Sequence, residues 1–219
     1  MQKFRKVILI MLMLSPAFFA ACKSKNVQPY ITQKDNPWSM NACGAFSMAY
    51  YLAETGQISA SKIESTAKQL YAKIKFDPSA GFGGYSSPFK ILREIAPYAD
   101  SVYFGMKVSN SESDGEKLMS LFVKGADLSL FEDIPGIDSV LKKNEYIIEI
   151  VVPSENVDLD APMRNPLHYV LTYWKGDVLY TLDPERGKEQ PRQNFMDGTT
   201  ARWNFCNSGI FIVPGKKHR

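Results

Sequence analysis

The sequence is poor in the residues that most often announce a function. Its 219 residues hold three cysteines, Cys22, Cys43 and Cys206, and two histidines, His168 and His218. So few cysteines, so widely spaced, exclude a disulfide framework. No C-x-x-C and no H-x-x-x-H occurs, so a zinc site from Cys43, His168 and Cys206 lacks ligand spacing, and no metal is expected. The glycine-rich stretch Ser79–Tyr85 fits neither G-x-x-x-x-G-K-S/T nor G-x-G-x-x-G after a strand. Nucleotides and other cofactors are therefore not expected. There is no internal repeat and no low-complexity segment. Charge of one sign is scarce too. The chain has 26 Lys+Arg against 23 Asp+Glu, and three of the bases, Lys3, Arg5 and Lys6, fall in the first 21 positions, which carry no acid. Without them the two counts are equal. No basic stripe remains, which excludes nucleic acid as a partner.

The basic head belongs to a targeting pattern. Val7–Leu14 follows it as an apolar core, and Phe19-Ala20-Ala21 as a small-residue cleavage site before Cys22. This resembles the bacterial lipoprotein signal, with Phe19 where a leucine is usual. The resemblance implies diacylglyceryl attachment to Cys22 and a membrane partner reached through the lipid. Lys23 is not the aspartate that commonly retains lipoproteins at the inner membrane, which points to the outer membrane, facing the periplasm. An ordinary cleaved signal, or an uncleaved anchor too short to span as a normal transmembrane helix, is the alternative. Residues 1–21 are thus read as signal, 22–29 as lipidated cysteine and polar tether, 30–215 as one domain and 216–219 as a basic tail. About 190 residues suffice for a single domain with its own core.

Within the domain, helical patterns come first. Apolar residues at three- and four-residue steps follow Cys43 and predict a helix with one apolar face, ended by Glu54-Thr55-Gly56. Ser59–Ile74 is a second helix, and Ser87-Pro88 provides the N-cap and first-turn proline of a third through Ile95. The middle is mixed, with a strand at Val102–Val108, a helix at Asp114–Val123 and a short helical stretch in Ile134–Leu141. β-Branched runs then predict strands at Glu145–Val152, Leu167–Trp174, Val178–Leu182 and Gly209–Val213. Helices followed by an antiparallel sheet indicate the α+β class.

Cys43 stands where that first helix begins, after the polar approach from Gln33. Unpaired N–H groups and the positive dipole end there favour a thiolate. Gly44 permits close approach of another backbone or a substrate. His218 lies in the charged tail, so an imidazole base for Cys43 must be His168. Lys175-Gly176-Asp177 is a compact hairpin turn. Counting back from it brings His168 within a residue or two of Asp183 across the hairpin, close enough to hydrogen-bond if both share a face. A carboxylate on one imidazole nitrogen leaves the other for the thiol. Pairing of Cys206 with Cys43 in an oxidising compartment is the competing possibility, and it would abolish nucleophilicity. Trp38 and Tyr85, in or before loops, are candidates for a substrate groove.

Gln33, Cys43-Gly44, Leu167-His168-Tyr169-Val170 and Leu182-Asp183-Pro184, in this order, resemble papain-fold cysteine peptidases of the bacteriocin-processing, double-glycine-leader type and their stand-alone relatives. The likeness spans about Gln33 to Val213. It implies a papain-like fold with Cys43 as nucleophile, His168 as general base and acid, Asp183 as orienter and Gln33 as oxyanion donor. Ala45 replaces a proline common in the family, and Gln33 stands ten residues before Cys43, so Asn36 and Asn41 remain alternative donors. The implied activity is peptide or isopeptide cleavage in a peptide or protein substrate. Acyl transfer by the same triad, or a non-catalytic envelope lipoprotein binding peptide or a protein partner on the same fold, are the other readings.

Overall fold

Helix α1, Cys43–Glu54, is enclosed on all sides rather than on one: every residue from Cys43 to Leu52 is buried. In this computed structural model the described residues are 31–215, apart from 36, 77–83, 112, 124–130, 154–156, 162–164 and 197–202. The signal, Cys22, the tether, Asn36, His218 and most of the glycine-rich stretch lie outside them. Residues small enough to admit neighbours, Gly44, Ala45, Ser47 and Ala49, let α2 (Ile63–Ile74), α3 (Pro88–Ile95) and the sheet all close on α1. A helix apolar all round belongs inside a fold. The polar groups of α1 are satisfied outward: Ser47 Oγ donates to Tyr169 O at 3.2 Å, Tyr50 to Ile31 O at 2.7 Å and Tyr51 to Tyr98 O at 2.9 Å. Helix α2 buries Ile63, Ala67, Leu70 and Ile74, one stripe of a surface helix. Ser87 holds the N-cap position of α3, but its hydroxyl makes no capping bond.

The remaining elements are β1 (Ala99–Met106), α4 (Asp114–Val123), β2 (Phe131–Asp133), α5 (Ile137–Val140), β3 (Tyr146–Pro153), β4 (His168–Lys175), β5 (Val178–Asp183), β6 (Lys188–Pro191), α6 (Arg192–Met196) and β7 (Trp203–Pro214). Seven strands form one sheet in the order β2-β1-β7-β3-β4-β5-β6. The chain is α+β, with two departures from the expected antiparallel C-terminal sheet. Strands β1 and β2 from the middle of the chain extend it, and they pair in parallel. Strand β7 is also far longer than the predicted Gly209–Val213, because it joins β1 on one side to β3 on the other.

Both faces of the sheet are covered. Ile148, Ile150, Tyr169, Leu171, Leu182 and Ile210 meet the helices α1–α3. On the opposite face, Ile147 and Phe211 pack with Ile137 of α5, and Val151, Val170 and Phe205 pack with Phe195 of α6. This double burial explains why β3 reads as a near-continuous apolar run. The one acid in it, Glu149, is fully buried and is held by Arg192 (Nη2 to Oε1, 2.7 Å; Nε to Oε2, 3.1 Å) and by Thr172 (Oγ1 to Oε2, 3.0 Å).

Candidate active site

Cys43 is the first residue of α1, and the N-cap position before it is Ala42, which has no side-chain oxygen to cap the helix. The first-turn N–H groups therefore lack a capping side chain and leave positive potential beside the thiol. Strand β4 opens with His168, and β5 ends with Asp183. The hairpin register pairs Lys175 with Val178, Thr172 with Thr181 and Leu171 with Leu182. His168 and Asp183 thus stand together at the end of the hairpin away from its turn. The expected closeness is realised, with His168 Nε2 at 2.8 Å from Asp183 Oδ1. His168 also makes a side-chain hydrogen bond with Cys43. Cys43, His168 and Asp183 are 4%, 3% and 1% exposed, so their charges interact with little screening by water.

Burial, the largest influence on His168, pulls its pKa down. The hydrogen bond to Asp183, the bond to Cys43 and the charges of both overcome it and push the imidazole up from 6.5 to about 10. These interactions favour the protonated ring, in which Nε2–H donates to the carboxylate. Asp183 is itself fixed by the turn that follows it: Glu185 N donates to Oδ1 at 2.8 Å, and Gly187 N donates to the backbone oxygen, also at 2.8 Å.

Gln33 lies in a short 3-10 turn, Gln33–Asp35, with a second at Pro37–Ser39. Its backbone N–H donates to Pro184 O at 2.9 Å, which ties the start of the domain to the residue after Asp183. The Ser39 hydroxyl donates to Gln33 O, and Gln33 Nε2 donates to Met40 O at 3.2 Å. The side chain is 7% exposed and its Oε1 has no hydrogen-bond partner. One N–H of the amide remains beyond the bond to Met40. Lys34 adds a second tie, its Nζ lying 2.6 Å from Glu185 Oε1.

Other expected residues fall differently. Gly44 is buried; a Cβ there would meet Ile91 Cδ1 at 2.7 Å and Ser86 Cβ at 2.8 Å, so glycine serves helix packing. Trp38 stacks on Phe46 with centroids 5.9 Å apart, which makes it a flank of the core. Tyr85 is 40% exposed, on a segment anchored by Tyr71 donating to Gly84 O (2.8 Å) and Tyr169 donating to Ser86 O (3.0 Å). Asn41 accepts from Ser86 Oγ through its backbone oxygen at 3.5 Å. Met40, three residues before Cys43 and 75% exposed, was not singled out by sequence, because a lone methionine in a polar approach carries no pattern.

Cys43 and Cys206 are both free thiols. Cys206, on β7, donates to Ile150 O at 3.0 Å, and burial pushes its pKa far up. It is an inert core group. Among the described residues, one group of side chains has the geometry to hold a cation: His168, Asp183 and Glu185, with one ligand atom each within 4.8 Å of the others. Comparison with protein families, curated proteins and solved structures finds no match in any of the three.

Proposed function

We propose that the chain is a papain-like cysteine peptidase of the bacterial cell envelope, anchored through a lipid on Cys22, which cleaves peptide or isopeptide bonds. The observation that carries this reading is the single polar cluster in which the thiol at a helix start, the imidazole and the carboxylate meet in the order Cys43, His168, Asp183. The thiolate attacks the substrate carbonyl, and the N–H of the Gln33 amide not bonded to Met40 donates to the oxyanion. His168 passes a proton to the leaving amine, giving an acyl-enzyme. It then takes a proton from water, and the acid is released. Asp183 orients the ring throughout. Transfer of the acyl group to an amine uses the same residues.

The test is alkylation of Cys43 by iodoacetamide at pH 6, followed by peptide mass mapping. Wild type should react at least tenfold faster than His168→Ala, and a peptide library should be cleaved only while Cys43 and His168 are both present. Equal alkylation of the two proteins, with no cleavage by either, would leave a binding lipoprotein. For the anchor, Cys22→Ala should fail to take up a fatty-acid analogue in growing cells; labelling equal to wild type refutes it.

A further inference from the structure

We propose that His168, Asp183 and Glu185 form a zinc-binding site overlapping the candidate catalytic pair, and that Zn2+ bound there shuts the pair off. The inhibition rests on the reading of His168 as base; the binding does not. The three residues bring an imidazole nitrogen and two carboxylates to one point, with ligand atoms within 4.8 Å of one another. One nitrogen and two oxygens suit zinc, whereas magnesium and calcium take all-oxygen sets. A second observation points the same way. Asp183 Oδ2 is buried and accepts no hydrogen bond; its ion-pair partner, Arg186 Nε, stands 3.7 Å away on a side chain that is itself 42% exposed. A buried carboxylate oxygen without a hydrogen is an acceptor that a cation satisfies.

Glu185 supplies the entry. Its side chain is 13% exposed, against 4% and 2% for the His168 and Asp183 side chains, and it forms an ion pair with the exposed Lys34. Ligand atoms of a tetrahedral zinc stand about 3.4 Å apart. The 2.8 Å separation of His168 and Asp183 must therefore open slightly, and Glu185 must swing inward from Lys34. Lys34 is thus a built-in competitor for the third ligand. Zinc takes the Nε2 lone pair, so the proton that Nε2 shares with Asp183 leaves to solvent, one per ion bound. The cation also draws electron density from the ring, which makes the nitrogen facing Cys43 a poorer base.

Equilibrium dialysis of the full chain against Zn2+ tests the site without reference to activity. Wild type and Cys43→Ser should each bind one ion per chain. Glu185→Gln should weaken binding tenfold or more, and Lys34→Ala, which breaks the same ion pair from the other side, should tighten it. Those opposite signs separate loss of a ligand from loss of a salt bridge. Unimpaired binding in Glu185→Gln together with none in Cys43→Ser would assign the metal to the thiolate and overturn the proposal, as would the absence of stoichiometric binding to wild type. If zinc binds as expected while Cys43 alkylates at the same rate with and without it, the site stands and the reading of His168 as base falls.

Discussion

Replacing Asp183 by asparagine isolates one of the two charges that favour protonated His168. The shape is kept, including the oxygen that accepts from Nε2 at 2.8 Å, and the negative charge is removed. Two unit charges about 4 Å apart interact by about 4 kcal/mol at an effective dielectric of 20, equal to about three pKa units. The imidazole, which sits at about 10 in the wild-type protein, should therefore titrate near neutrality in Asp183→Asn. Histidine-detected NMR reads this directly. The sequence holds only His168 and His218, so His168→Ala assigns both resonances. The measured midpoint belongs to the Cys43–His168 pair, and a Cys43→Ser background separates the thiol's share. Stability provides a second readout. Because the folded pKa lies above the ordinary 6.5, the stabilising contribution is fully present below pH 6.5 and is lost as pH rises through about 10. Urea midpoints of wild type should fall across that window, and those of Asp183→Asn should fall much less. A wild-type resonance titrating near 6.5, or one near 10 that the asparagine leaves in place, would refute the electrostatic account of the site.

Three further perturbations test the frame around it. Gly44→Ala should destabilise by about 1–3 kcal/mol, because the new methyl overlaps Ile91 Cδ1 at 2.7 Å and Ser86 Cβ at 2.8 Å; thermal unfolding measures it. Glu149→Gln should cost about 3–5 kcal/mol in a denaturant titration, since among the described residues it leaves the buried Arg192 guanidinium with only the exposed Asp138 as a charged partner. Tyr50→Phe should cost about 1 kcal/mol through the lost bond to Ile31 O, and Tyr50→Ala on the order of 3 kcal/mol or more through the cavity; the difference between the two separates strap from core.

The parts of the fold that were legible in sequence are those whose physics is local. The helix Asp114–Val123 and the hairpin around Lys175-Gly176-Asp177 were found where expected, because turn chemistry and apolar spacing act over a few residues. Strands β2 and β6 were not, since Phe-Glu-Asp and Lys-Glu-Gln-Pro have no alternation, and only the neighbouring strands make them part of a sheet. The all-round burial of α1 was equally invisible. Its pattern predicts one apolar face, whereas the close approach of three neighbours depends on where α2, α3 and the sheet settle. Glu149 and Arg192 look like surface charges in sequence, and only the layer of α6 over the sheet turns them into a buried pair.

The site divides along the same line. The pairing of His168 with Asp183 follows from counting along a hairpin, and Cys43 follows from a helix start; both are consequences of chain geometry near each residue. The reading of Gln33 as oxyanion donor rests on resemblance, because ten residues separate it from Cys43 and Asn36 and Asn41 stand closer. Two 3-10 turns shorten that gap, and the Ser39 hydroxyl and the Met40 carbonyl bind Gln33 back onto the approach to α1. Asn41, for its part, offers a backbone oxygen to Ser86, which ties it to the Tyr85 segment. The bond from Gln33 N to Pro184 O then makes the oxyanion candidate and the orienting carboxylate neighbours through the backbone. That single contact joins the first described turn of the chain to the end of β5, and it also brings Lys34 against Glu185. No spacing rule contains it, because its two ends come from opposite halves of the sequence and meet only in the folded arrangement.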